Sequence, residues 1–444
     1  MPFTTLGLHA DLVRAVNDLG FTTPTPIQKD AIPAAVAKRD VLASSATGSG
    51  KTAAFLLPVL HHLIAGTAGK TRALVLTPTR ELAEQIYQDL NSLSRHTQIK
   101  GAVVYGGVGM GPQRRAFERR AAIIVATPGR LLDHLQYSYA DLSGVEMLVL
   151  DEADRMLDMG FLPDIRRILS FLPKQRQTLF FSATMAAEVA GLTRELLKNP
   201  AKISIERTTK PAAGVEQSFY PVPQQLKAPL LLNLIQSGDI RNALVFTRTK
   251  RRADKLAEFL KRNNLSVTRI HGDRTQAQRL QALDGFKNGR YKILVATDVA
   301  ARGIHVEALS HVINYDLPET TEDYVHRVGR TARAQATGNA FSFIAPEDEG
   351  NVRAIERAIS TTVKRLTVEG FDYKAPILSS GPRQYSGHRP SGGQRSGGGH
   401  RPSGGGQRPG GGQRPGAPKR FQSRPWARDG SHREKSVGVS DFRG

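Results

Sequence analysis

Eight apolar runs of about four residues, set in two blocks with helical patterns between them, restrict the possible folds more than any other feature. The first block holds residues 73–76, 123–126, 147–150 and 178–181, and the second holds 243–246, 292–295, 311–314 and 340–343. Near-continuous apolar runs of this length suit parallel strands covered on both faces. The stretches 80–93 and 251–262 carry helical periodicity and supply crossovers. The expectation is therefore an α/β chain of two parallel-sheet lobes. Between the blocks, residues 206–214 are polar, carry Pro and Gly, and read as a flexible hinge. Beyond about residue 371 the composition changes: Gly-Gly-Gln-Arg units recur at 392–395, 405–408 and 411–414. Such a segment cannot bury enough apolar surface to offset its chain entropy, so 371–444 reads as a disordered tail.

Charge narrows the partners. The formal net charge is +22. From Gly381 onward there are 13 Lys or Arg against 3 Asp or Glu, so about +10 lies in the tail and the lobes are basic as well. A polyanion is the expected partner, with solubility as the bland alternative. The absence of cysteine excludes disulfides and thiolate chemistry. No apolar run approaches the ~18 residues of a membrane span, and the first residues lack signal-peptide character, so a cytoplasmic protein is expected.

In open α/β sheets, ligands gather beyond the carboxyl ends of strands. Here the polar clusters follow the apolar runs: Thr79-Arg80 after 73–76, Thr127-Pro128-Gly129-Arg130 after 123–126, Asp151-Glu152 after 147–150 and Ser182-Ala183-Thr184 after 178–181. Ser45-Ala46-Thr47-Gly48-Ser49-Gly50-Lys51-Thr52 precedes an apolar helical pattern. Glycines let backbone N–H groups converge on phosphate at a helix N-terminus, Lys51 would reach the β- and γ-phosphates, and the Thr52 hydroxyl would hold Mg²⁺. The strict pattern asks for Gly where Ser45 stands. Beside such a loop, Asp151 is expected to hold the metal and Glu152 to polarise a water. Arg327, Arg330 and Arg333 recur every three residues, as on one helical face. That face is either simply solvated or a source of arginine fingers that make the site complete only when the lobes meet.

Together these blocks resemble the DEAD-box RNA helicases of helicase superfamily 2, from residue 3 to about 345, in the style of the bacterial RhlE-type branch. The tetrapeptide Asp151-Glu152-Ala153-Asp154 is present, as is an adenine-reading segment ending in Gln28 and including Phe21, with Phe3 upstream. The resemblance implies tandem RecA-like domains: a Q-motif region at 1–28, an ATP-binding domain at 29–205, a linker at 206–214 and a C-terminal domain at 215–370. It implies an RNA-dependent ATPase that uses ATP and Mg²⁺, in which Gln28 bonds the adenine edge and Phe3 stacks on the ring. Further implied nucleotide contacts are Gly303 and His305, where His305 replaces a usual Asp. Implied RNA-backbone contacts are Thr79, Arg80, Gly106, Gly107, residues 127–130, Gln276, Arg279, Thr297 and Arg302. Ser182 and Thr184 are implied to couple the two sites, with Arg330 and Arg333 as fingers. Ala332 replaces a usual Gly. An ATP-gated RNA clamp or a DNA helicase are the rival readings.

Overall fold

The computed structural model describes residues 2–45, 48–66, 69–205, 214–237, 240–301, 309–331 and 338–374. Two parallel sheets organise them. The first contains β1 (Val41–Ser44), β2 (Ala73–Leu76), β3 (Gly101–Val104), β4 (Ile123–Ala126), β5 (Met147–Leu150), β6 (Gln177–Ser182) and β7 (Ala201–Ser204). Its strand order is β3-β4-β2-β5-β6-β1-β7. The second contains β8 (Val215–Pro221), β9 (Ala243–Phe246), β10 (Val267–Ile270), β11 (Ile293–Ala296), β12 (His311–Asn314), β13 (Gly338–Ile344) and β14 (Lys364–Arg365). Its order, β10-β11-β9-β12-β13-β8-β14, repeats the first strand for strand.

The apolar runs are continuous because each strand feeds two cores. Successive side chains alternate across a sheet. Thus Ala73 and Val75 pack with Phe55, Leu82 and Ile86 on one face, while Leu74 and Leu76 pack with Leu131, Leu148 and Met156 on the other. β9 divides likewise, with Ala243 and Val245 on one face and Leu244 and Phe246 on the other. Each fully buried Val, Leu, Ile, Phe or Met among them contributes about 1.5–3 kcal/mol from the removal of apolar surface from water.

The helices begin where local chemistry satisfies their first N–H groups. Thr79 caps Arg80–Leu93 by accepting from the Leu82 amide, and Thr249 caps Lys250–Arg262 by accepting from the Arg252 amide. At Pro26–Val36 Gln28 Oε1 accepts from the Thr25 amide, with proline at the tolerated first position. The Thr79 and Thr249 caps sit at strand ends, where the candidate chemistry lies. Among the described residues, no helix is long and apolar enough to cross a membrane.

Candidate active site

β1 runs into the phosphate loop. The Ser45 amide continues the sheet by donating to the Ser182 carbonyl at 3.2 Å. Gly48 and Gly50 take φ of 82° and 89°, the left-handed region that side chains with a Cβ adopt only at a cost. Gly50 also leaves no room for one: an added Cβ would lie 2.5 Å from Gln28 Nε2. That amide donates to the Gly50 carbonyl at 3.1 Å, while Gln28 Oε1 accepts from the Thr25 amide at 2.9 Å. The segment expected to read adenine is thereby fastened to the loop expected to hold phosphate. Lys51 opens the helix Lys51–Ile64, is buried, and donates to the Ser45 carbonyl at 3.1 Å. The Ser45 and Ser49 hydroxyls are bonded at 2.8 Å. Half-buried Thr52 follows; Ala46 and Thr47 lie outside the described residues.

Two acids stand at the end of β5 and are driven apart electrostatically. Burial raises the Asp151 carboxyl to about 7, against the opposing pull of Lys51. Burial acts on Glu152 in the same direction, yet the charges of Arg155, Lys51 and Arg330 overcome it and hold Glu152 down at about 2. Arg155 Nη1 lies 3.0 Å from Glu152 Oε2. Glu152 itself sits at φ 49°, ψ 49°, a strained position for a side chain with a Cβ, and such strain collects at functional sites. Its amide donates to Asp151 Oδ1 at 3.0 Å. A divalent cation suits Asp151, because a buried carboxyl raised by desolvation gains most from nearby positive charge. Among the described residues no three His, Asp or Glu gather as a metal cage.

Asp154 has a separate task. Its Oδ2 accepts from the amides of Ala183 at 3.0 Å and Thr184 at 2.7 Å, and the Ser182 hydroxyl donates to the Thr184 carbonyl at 2.6 Å. The end of β6 is thus held against the acidic turn, so Ser182 and Thr184 sit where a shift of either segment moves the other.

The second lobe reaches this site with one described arginine. Helix Thr321–Val328 stops at the Gly329 cap, and the Thr331 hydroxyl donates to the Leu309 carbonyl at 2.6 Å. Arg327 and Arg330 therefore do not share a helical face, contrary to the three-residue repeat. Arg327 turns inward: its Nε and Nη2 each lie 2.6 Å from an Asp298 carboxylate oxygen, Nη1 donates to Asn314 Oδ1 and the Asp316 carbonyl, and its guanidinium lies 4.8 Å from the Phe246 ring centre. Arg330, past the helix, is buried, and its charge falls on Glu152 of the first lobe. A small cavity lined by Arg155, Asp298, His326 and Arg330 marks this meeting. Arg302, Gly303, His305, Ala332 and Arg333 lie outside the described residues.

A second bridge joins the lobes at Glu81. Its carboxylate accepts from Gln276 Nε2 at 2.9 Å and lies 3.0 Å from Arg279 Nη2, and all three side chains are largely buried. Gln276 and Arg279, expected to meet RNA, here hold the lobes together because an unpaired buried carboxylate would be costly. Arg80 lies against Gly106 and Gly107: a Cβ at Gly107, where φ is 84°, would lie 2.2 Å from Arg80 Nη1. Thr127 and Pro128 start the helix Pro128–Leu135, a Cβ at Gly129 would meet nothing within 4 Å, and Arg130 Nε lies 3.4 Å from Asp133. Half-buried Thr297 ends β11.

Of the two aromatic residues expected at the nucleotide, Phe3 is 3% exposed and packs in the first lobe's core, whereas Phe21 is 45% exposed. The amphipathic helix Ala10–Asp18, near Phe3, explains the burial. Sequence reasoning also gave no role to Arg155, Glu81 or the Arg327–Asp298 pair. Arg155, three residues after Glu152 at a helix start, was the most readable of these.

Two family profiles match the chain: DEAD/DEAH box helicase over residues 25–192, and helicase conserved C-terminal domain over 226–335. The DEAD-box ATP-dependent RNA helicase CshA of Bacillus subtilis is 41% identical over 364 residues, 82% of this chain and 74% of CshA. RhpA of Helicobacter pylori, of the same description, is 41% identical over 366 residues, again 82% and 74%. Among solved structures, Dbp5 of S. cerevisiae bound to RNA and ADP BeF3 aligns with a TM-score of 0.75 at 31% identity, over 82% of this chain and 95% of that one.

Proposed function

The chain belongs to the DEAD-box ATP-dependent RNA helicases, and from that premise we propose that it is a cytoplasmic enzyme that opens short RNA duplexes by ATP-driven closure of its lobes. The observation that carries this reading is the meeting of buried Arg330 of one lobe with Arg155, the partner of Glu152, of the other in one cavity.

In this scheme Phe3, Phe21 and Gln28 take the adenine, and Lys51 with the amides of the glycine loop takes the phosphates. Asp151 and Thr52 would hold Mg²⁺, which would supply positive charge beside those phosphates. Glu152, ionised at neutral pH, accepts a hydrogen bond from the attacking water and orients it. Arg330, with Arg333, neutralises charge on the transferring phosphoryl group. Thr79, Arg80, Gly106, Gly107, residues 127–130, Thr297 and Arg302 grip the RNA backbone and read no base edge, so binding is insensitive to sequence. Gln276 and Arg279 join that grip, and their contacts with Glu81 also serve closure. Each stacked step is worth about 1.4 kcal/mol, so one closure opens only a short duplex. The Arg-rich tail, with Phe421 and Trp426, adds loose RNA or protein binding.

The test is steady-state ATPase with RNA or DNA as activator, beside strand separation on short and long duplexes. RNA-stimulated turnover and release of short duplexes are expected. Stimulation by DNA alone, or turnover without strand release, contradicts the reading.

A further inference from the structure

β3 is the outermost strand of the first sheet and pairs only with β4, so one edge of its backbone has no strand partner among the described residues. A groove of about 1260 Å³ runs along that edge, from Arg72 and Ala122 at one end to Val108 and Pro112 at the other. None of its lining residues belongs to the phosphate loop or the acidic turn. Its walls are helices on opposite faces of the sheet. Arg80–Leu93 contributes Tyr87, and Met110–Glu118 with its cap contributes Arg115 and Arg119. The small residues Gly101 and Ala102 form a shallow floor and are only half-buried. This volume exceeds the ~300–1,000 Å³ usual for a small-molecule pocket, and an elongated cleft beside a free edge suits a chain.

The charge in the groove is mainly positive. Lys100, Arg115 and Arg119 line it without an ion-pair partner among the described residues. Of the lining carboxylates, Glu118 is held by Arg114 at 2.6 Å, which leaves Asp11, beside a His9 Nδ1 that accepts from the Asp11 amide, as the lone counter-charge among these groups. Arg72 is committed to Glu146, and Arg120 donates to the Gly69 carbonyl. Val108, an exposed apolar side chain, stands at one end.

We propose that this edge receives an extended acidic segment of a partner protein, which adds a strand beside β3. Its backbone pairs with the free N–H and C=O groups of β3, its carboxylates face Lys100, Arg115 and Arg119, and an apolar side chain rests on Val108. A second copy would bring the same basic walls, and the chain's own tail is strongly basic, so repulsion disfavours both.

The full chain is titrated with a labelled peptide of alternating glutamate and valine. Controls are a lysine-for-glutamate version, a version N-methylated at alternate backbone nitrogens, and single-stranded oligouridylate. Only the first peptide is expected to bind saturably and to slow amide exchange at residues 101–104. The double variant Arg115→Glu, Arg119→Glu is expected to weaken it by about tenfold, with RNA-stimulated ATPase retained as the folding control. No saturable binding, or protection confined to other residues, overturns the proposal. Equal binding of the N-methylated peptide overturns strand addition. Protection of 101–104 by oligouridylate, lost in the double variant, would make the groove an RNA track instead.

Discussion

Glu152 is the residue whose local chemistry most limits its role. A buried carboxylate kept ionised by three cations, on a strained backbone, is fixed in position and ready to accept a proton-sharing bond. Glu152→Gln keeps the shape and removes the charge. ATP and RNA binding should persist while single-turnover hydrolysis falls by about 10²–10⁴-fold, the usual worth of a positioned acid–base group. Glu146 illustrates a structural carboxylate by contrast. Its bonds to Arg72, at 2.8 and 2.9 Å, with His62 adding to them, depress it to about 2 from an ordinary value of 4.5. A carboxyl depressed on folding adds stability above its unfolded value and loses it as pH falls toward the folded one. Thermal unfolding should therefore show a loss between about pH 4.5 and 2 that is smaller in Glu146→Gln.

At the scale of elements, the acidic turn and the end of β6 move as one unit because Asp154 accepts two amides from it. Asp154→Ala leaves both donors without their charged acceptor, and urea unfolding should register a loss of about 3 kcal/mol. Much of this level was legible in the sequence. The runs at 73–76, 123–126, 147–150, 243–246 and 311–314 are strands with the expected ends, because a strand covered on both faces must be apolar at every position. β3 and β10 escaped notice because edge strands face partly outward and carry mixed residues, and β14 is a two-residue strand of Lys and Arg. The arginine repeat misled for a different reason. Spacing predicts a shared face only while a helix continues, and Gly329 ends it between Arg327 and Arg330.

Across the whole molecule, function rests on bringing two similar sheets together. Glu81 supplies one buried latch through Gln276 and Arg279, and Arg330, proposed as the catalytic link, supplies charge beside Glu152. Because each partner in the latch is buried, opening the lobes exposes charges that water then solvates, so closure is poised rather than locked. Nucleotide and RNA can shift that balance only by binding the closed state more tightly. Arg330 tests this most directly. Single-turnover hydrolysis of bound ATP at saturating RNA should fall by about 10³–10⁵-fold in Arg330→Ala with nucleotide binding retained, the usual worth of an arginine finger. Hydrolysis near the intact rate in that variant would contradict a catalytic centre divided between the lobes.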